Sequence, residues 1–191
     1  MKKILIVFAF CLVAACFGGY SPDSKFYNLQ PVKNGEAVSD KVLSIGINDV
    51  NLPDYLDKPQ IVVFEEGTPQ MGISELNRWG EPLDSMVQRI VAADMSVYLP
   101  QSEVKARTLL MEHFDYIIDI QIVRFDMVWN DKAVLEAWWY ISNAQGKIVY
   151  KKKEQQSEKI GRSFGDFAEA ESRLLGQMSH EIALKISELK K

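Results

Sequence analysis

Over residues 115–129 the sequence alternates in a way that only an extended chain can satisfy. Ile118, Ile120 and Ile122 are apolar with Asp119 and Gln121 between them; then the parity reverses, and Val123, Phe125 and Met127 are apolar around Arg124 and Asp126. Side chains on a strand point to opposite faces with a period of two, so an unbroken strand would bury one half of this pattern and expose the other. One extra residue near 122–123 keeps both halves on the same core, and the spacing predicts a β-bulge there. Trp129-Asn130-Asp131-Lys132 reads as a tight turn. The run 133–142, with Trp138, Trp139 and Tyr140, is apolar on nearly both faces and reads as a central neighbour in the sheet. A second turn at 143–146 leads into 147–158, which becomes strongly polar. There Lys151-Lys152-Lys153 is most simply a sheet edge guarded by charge.

The rest of the chain supplies further strands and two helices. Residues 25–29 form a brief apolar stretch that reads as the first strand, 31–40 a polar loop, and 42–50 a loosely alternating strand. Two prolines break 52–59; 60–64 resumes as a strand, 66–69 is a turn, and 70–76 can close a hairpin. A first helix starts near Pro82, a residue tolerated at the first helical position, and stops at Pro100; Leu83, Met86, Val87, Ile90, Val97 and Tyr98 make its apolar stripe. A second runs over 164–189, with Ser163 and Asp166 at capping-box spacing. Its stripe is Phe164, Phe167, Leu174, Leu175, Met178, Ile182, Ile186 and Leu189. The pattern predicts an α+β fold: a single domain with a mostly antiparallel sheet of about five or six strands and two long helices packed on one face.

The amino terminus reads as a secretory signal. Lys2 and Lys3 precede ten apolar residues, Ile4 to Val13, too few for a membrane-spanning helix, which takes about 20. Val13-Ala14-Ala15-Cys16 looks like a bacterial lipobox, which implies cleavage after residue 15 and acylation of Cys16. Several acyl chains anchor a protein stably where one does so only marginally. Cys11 leaves with the signal, so 25–191 must fold on its core without disulfides. The tether 16–24, with Gly18, Gly19, Ser21 and Pro22, reaches at most about 29 Å beyond the lipid. Phe17, where an inner-membrane retention signal usually carries aspartate, points to the outer membrane, periplasmic side. Net charge is −4, and −6 without Lys2 and Lys3. Such a domain is a poor nucleic-acid binder.

Catalytic constellations are thin. His113 and His180 are the only histidines, His180 reading as a solvated helix residue, and no metal spacing, phosphate loop or nucleophile elbow accompanies them. Asp54 and Asp57 flank Tyr55 in the proline-rich loop, where a polar loop explains them as well as a cleft does. The reading is of a protein that is not an enzyme and needs no cofactor or metal.

The most specific stretch is Leu52-Pro53-Asp54-Tyr55-Leu56-Asp57-Lys58-Pro59-Gln60-Ile61-Val62, followed by Arg78-Trp79-Gly80-Glu81-Pro82-Leu83. With Phe26-Tyr27-Asn28-Leu29, Arg124-Phe125-Asp126 and the last helix, it resembles the ABC-type transport auxiliary lipoprotein family over nearly all of 25–191. Lys58 stands for the family's usual arginine and Gly80 for its usual alanine. The resemblance implies an outer-membrane lipoprotein of an MCE-type trans-envelope transport system with phospholipid as cargo. It implies as partner an MCE-domain protein of the inner membrane (PqiB-like), received by a homo-oligomeric ring. A periplasmic lipid carrier, with one acyl chain between sheet and helices, is the alternative. Trp and Tyr favour interfaces. Tyr55, Leu56, Pro59, Arg78, Trp79 and Glu81 are therefore the candidate partner-binding residues, with packing the leading reading for each and an Arg78–Glu81 pair across the turn.

Overall fold

The structure is a computed structural model describing residues 22–106 and 113–189; the signal, Cys16 and most of the tether lie outside the described residues. Its spine is the strand anticipated over 115–129. Numbered in chain order it is β6 (Tyr116–Val128), paired antiparallel with β7 (Lys132–Asn143), which pairs antiparallel with β8 (Ile148–Lys159). Ile122 lies opposite Ala137 and Arg124 opposite Glu136, so Val123 is the extra residue of a bulge. Ile118, Ile120, Ile122, Phe125 and Met127 consequently all face one core, none more than 2% exposed. The turn after β6 closes through Asn130 in the left-handed region, φ 58°, a conformation asparagine tolerates better than most residues. β8 pairs only with β7, so the lysine-bearing strand is an edge.

The other side of β6 forks. Near its start β6 pairs in parallel with β2 (Ser44–Ile47), which pairs in parallel with β5 (Glu103–Ala106). Near its end it pairs in parallel with β3 (Gln60–Phe64); β4 (Met71–Trp79) follows antiparallel, and β1 (Lys25–Tyr27) lies parallel on β4. Among the described residues the sheet has eight strands where five or six were expected, and it is mixed: the two long ladders, β6–β7 and β7–β8, are antiparallel, as is β3–β4, while four short pairings are parallel. β1 and β2 fall within the stretches expected over 25–29 and 42–50; the unexpected strand is β5, whose four residues are too few for a period of two to stand out. β2 is shorter than the strand expected over 42–50: beyond it Asn48 N–H donates to Ile118 O at 2.9 Å, and Asn51 meets β6 in an isolated bridge, its N–H donating to Ile120 O at 3.0 Å and its carbonyl accepting from Ile122 N–H at 2.9 Å.

Helices α1 (Leu83–Tyr98) and α2 (Phe164–Glu188) pack against each other on the core face, α1 beside β5 and α2 across β7 and β8. Pro82 caps α1 without a side-chain bond, while the Ser163 hydroxyl accepts from Asp166 N–H at 3.0 Å to start α2. The stripes bury as their periodicity demands: Met86, Val87 and Ile90 on α1 and Phe167, Leu175, Met178, Ile182 and Ile186 on α2 are fully enclosed. Each such side chain contributes roughly 1.5–3 kcal/mol of transfer free energy. Two carboxylates interrupt them. Asp94 of α1 is buried, accepts from Val32 N–H at 2.7 Å and Ser179 Oγ at 3.3 Å, and is pushed up to about 6 by burial. Glu171 of α2 is fully buried; burial, then the nearby Asp126 charge, raises it well above the usual carboxylate range against the opposing pull of a backbone hydrogen bond from Val134.

Candidate docking site

On the side of β6 away from β7 the two branches part, neither β2 nor β3 pairs beside the bulge, and the loop 52–59 reaches that spot through Tyr55. The loop is a compact turn: Leu56 N–H donates to Pro53 O at 2.9 Å and Lys58 N–H to Leu56 O at 2.8 Å. Proline at 53 and 59 restricts the backbone on either side. Leu56 is 3% exposed and joins the core cluster. Tyr55, half-buried, donates its hydroxyl to Val123 O at 3.2 Å, the carbonyl of the bulged residue, and lies 3.3 Å from Asp126 Oδ2. A bulge takes its extra residue out of the ladder and leaves that residue's backbone in need of another partner. Tyr55 supplies it.

A charged layer completes this spot. Asp126 is fully buried and accepts from Arg124 Nε at 3.0 Å and Nη2 at 2.7 Å. The guanidinium lies 5.6 Å over the Phe64 ring and 3.8 Å from Glu136, while Phe64 meets Tyr55 edge-on at 6.2 Å. A bidentate, part-buried pair of this kind is geometrically specific. Burial first and the Asp126 charge second push the Tyr55 hydroxyl upward, so it stays a donor at neutral pH. The motif pieces Tyr55 and Arg124-Phe125-Asp126, 69 to 71 positions apart, thus form one constellation.

The second motif piece lies beside it. Trp79 N–H donates to Pro59 O at 2.7 Å, which joins the two pieces through the backbone. The Trp79 ring is 4% exposed, wedged between Phe125 at 5.9 Å and Phe167 at 5.7 Å. Pro59 is exposed, and Arg78 and Glu81 are half-buried. The expected Arg78–Glu81 pair does not form: Glu81 is bound by Arg89, in the second turn of α1, and Arg78 Nε donates to Glu75 O at 3.3 Å. Helical geometry presents residue 89 back toward the helix start. Gly80 also has a local reason: a Cβ there would collide with the Asn28 carboxamide. So of the six candidates, Leu56 and Trp79 are buried in the core, while Tyr55, Pro59, Arg78 and Glu81 keep part of their surface accessible.

Other candidates disperse. Asp57 lines a shallow depression of about 350 Å³ with Asp49 and Asp84, while Asp54 is exposed. His113 is exposed; His180 is not solvated as expected but half-buried edge-on against Tyr98, at 4.9 Å. An open groove of about 740 Å³ runs between residues 26–34 and the first turns of α2, lined by Tyr27, Pro31, Val32 and Ala168 among others. Sequence reasoning missed Asp94 and Glu171. The signal is visible in retrospect: each sits four residues from stripe members, Ile90 and Tyr98 for one, Phe167 and Leu175 for the other.

Comparison with known proteins places this geometry. The profile of the family described as ABC-type transport auxiliary lipoprotein component matches residues 27–183. The chain is 25% identical to proteins named intermembrane transport lipoprotein PqiC from Escherichia coli K12 and Shigella flexneri, covering 100% of this chain and 99% of each relative. Among solved structures, a Xanthomonas campestris protein superimposes with a TM-score of 0.69 at 16% identity, over 85% of this chain and 94% of that one. A second, uncharacterised protein gives a TM-score of 0.65 at 20% identity, over 87% and 97%. The last two speak for the fold alone.

Proposed function

Because the chain belongs to the ABC-type transport auxiliary lipoprotein family, which is not an enzyme family, we propose that it is the lipid-anchored outer-membrane subunit of an MCE-type phospholipid transport system. Full-length likeness to the PqiC intermembrane transport lipoproteins is the observation that carries this reading. In it, Cys16 bears the acyl chains, the tether holds the domain at the periplasmic face, and copies of the chain form a ring. The domain receives the far end of an inner-membrane MCE-domain protein, PqiB-like, on the platform of Tyr55, Pro59, Arg78 and Glu81, which Leu56 and Trp79 keep in shape. Interfaces of this kind concentrate their energy in a few aromatic and arginine anchors, and Tyr55 and Arg78 are such residues.

The test is an affinity pull-down of the full lipoprotein from crosslinked envelopes, read by mass spectrometry, with palmitate labelling of wild type and Cys16→Ser in parallel. The reading expects an MCE-domain protein to be enriched and labelling to vanish in the variant. Recovery of cell-wall enzymes alone, or a labelled Cys16→Ser chain, argues against it. The groove beside α2 supports the second reading, a periplasmic lipid carrier, since about 740 Å³ is within the size of ligand clefts. That reading expects phospholipid to co-purify with the protein, and lipid-free protein counts against it.

A further inference from the structure

The end of the domain where the described chain begins differs from the rest of the surface. β1 is parallel to β4, β4 antiparallel to β3, and β3 parallel to β6, so β1 runs away from the end where β6 finishes, with Phe26 level with Gln60, and the chain before it leads toward that end. Three aromatic rings run across that end: Tyr27 lies 6.2 Å from Phe164, and Phe164 lies 5.7 Å from Trp129. Phe26, next to Tyr27, is 64% exposed, and Trp129 is 40% exposed. Trp129 is not a loose side chain on a frayed loop. Its backbone N–H donates to Phe64 O at 2.9 Å, and the left-handed Asn130 turns the chain directly after it. The fold holds an indole at the tip of its longest hairpin beside the point where the tether enters.

The charges around these rings are balanced. Lys25, Lys159 and Arg162 are exposed there, and so are Asp23, Glu65 and Glu66. A surface that offers apolar rings with no net charge is suited to the zone just below phospholipid headgroups, where amphipathic aromatic side chains are favoured. It offers nothing to select a strongly charged partner. The lipid end of the tether is at most about 29 Å away, so contact with the bilayer is an intramolecular event at high effective concentration, and weak contacts suffice.

We infer that this end, with Trp129 and Phe26 as its foremost side chains and Tyr27 and Phe164 behind them, rests on the lipid headgroup layer and fixes how the anchored domain stands on the membrane. The inference depends on the lipid-anchored reading above, and its test separates the two. The full lipoprotein is reconstituted into phosphatidylcholine vesicles, plain or brominated close to the headgroup, and tryptophan emission is read after flotation. The chain has four tryptophans; Trp79 and Trp139 are buried and report that the fold is intact. Brominated vesicles are expected to dim the emission by up to one indole's share of the four. Trp129→Phe should abolish that dimming, and Phe26→Ala should reduce it. Floating protein whose emission is the same in both vesicles, or dimming that survives Trp129→Phe, overturns the inference and leaves the anchor standing. Wild-type protein that fails to float overturns the anchored reading and the inference with it.

Discussion

Trp79 and Trp129 make the same kind of contact with different consequences. Each ring lies 5.7 Å from a phenylalanine of α2, Trp79 from Phe167 and Trp129 from Phe164. Yet Trp79 is 4% exposed and Trp129 40%. The difference comes from the helix. Phe167 is one turn in, over the sheet, and Phe164 is the first residue, at the rim. An aromatic residue at a strand end can therefore be a keystone of the core or a probe of the surroundings. Position along the covering helix decides which, and the local sequence does not.

Replacement by alanine separates them most widely. Trp79→Ala should cost about 3–5 kcal/mol in urea denaturation, as expected of a large buried aromatic, whereas Trp129→Ala should stay within about 1 kcal/mol. Equal losses would mean that both rings are structural, and Trp129 would then be no surface probe. The next effect in size concerns a buried carboxyl between the two helices. The Asp94 carboxyl moves from an ordinary 3.8 to about 6 in the fold. The folded state then holds the extra proton, so the stabilisation is complete below about 3.8 and is lost as pH rises toward about 6. Asp94→Asn keeps an acceptor for Val32 N–H and removes the titration. Its stability relative to wild type should rise by on the order of 1–3 kcal/mol between acidic and neutral pH. A flat difference across that range would show that Asp94 keeps its charge when buried.

Smaller effects sharpen the contrast between platform and edge. Tyr55→Phe removes the bond to the bulge carbonyl and should cost about 0.5–1.5 kcal/mol, with faster amide exchange around Val123; unchanged exchange would mean that the hydroxyl does not hold the bulge. Lys152, which bridges Glu154 at 3.2 Å and Glu181 at 2.9 Å with a third of its side chain exposed, should matter least. Lys152→Ala is expected to shift the urea midpoint by less than about 1 kcal/mol equivalent, and a larger loss would make the β8 edge more than a guarded border.

Much of this was readable from the residues. The parity reversal at 122–123 located the bulge because period-two burial leaves no other way to keep Ile122 and Phe125 on one core. The helices, the Ser163 cap and the lysine-guarded edge were legible for the same reason: each is a local pattern. The fork was not. Its strands β2 and β3 lie where the residues indicate strands, but nothing local says that both pair in parallel with β6, and β5 has only four residues, with Val104 between Glu103 and Lys105. Tyr55 was singled out by its motif, but its partner, Val123 O, is a backbone atom 68 positions away that no side-chain pattern announces. Trp79 looked like a loop residue because it closes β4, and its burial depends on Phe167 of a helix that begins far along the chain.

The most direct test of the docking account is a photoreactive amino acid placed at Arg78 in the full lipoprotein, with Lys151 on the β8 edge as a second position, irradiated in intact cells. Both sites are on the surface, and only the first adjoins the platform. The account predicts a crosslink from position 78 to an inner-membrane MCE-domain protein and none from position 151. Crosslinks to that protein from position 151 alone, or from neither position, would contradict it.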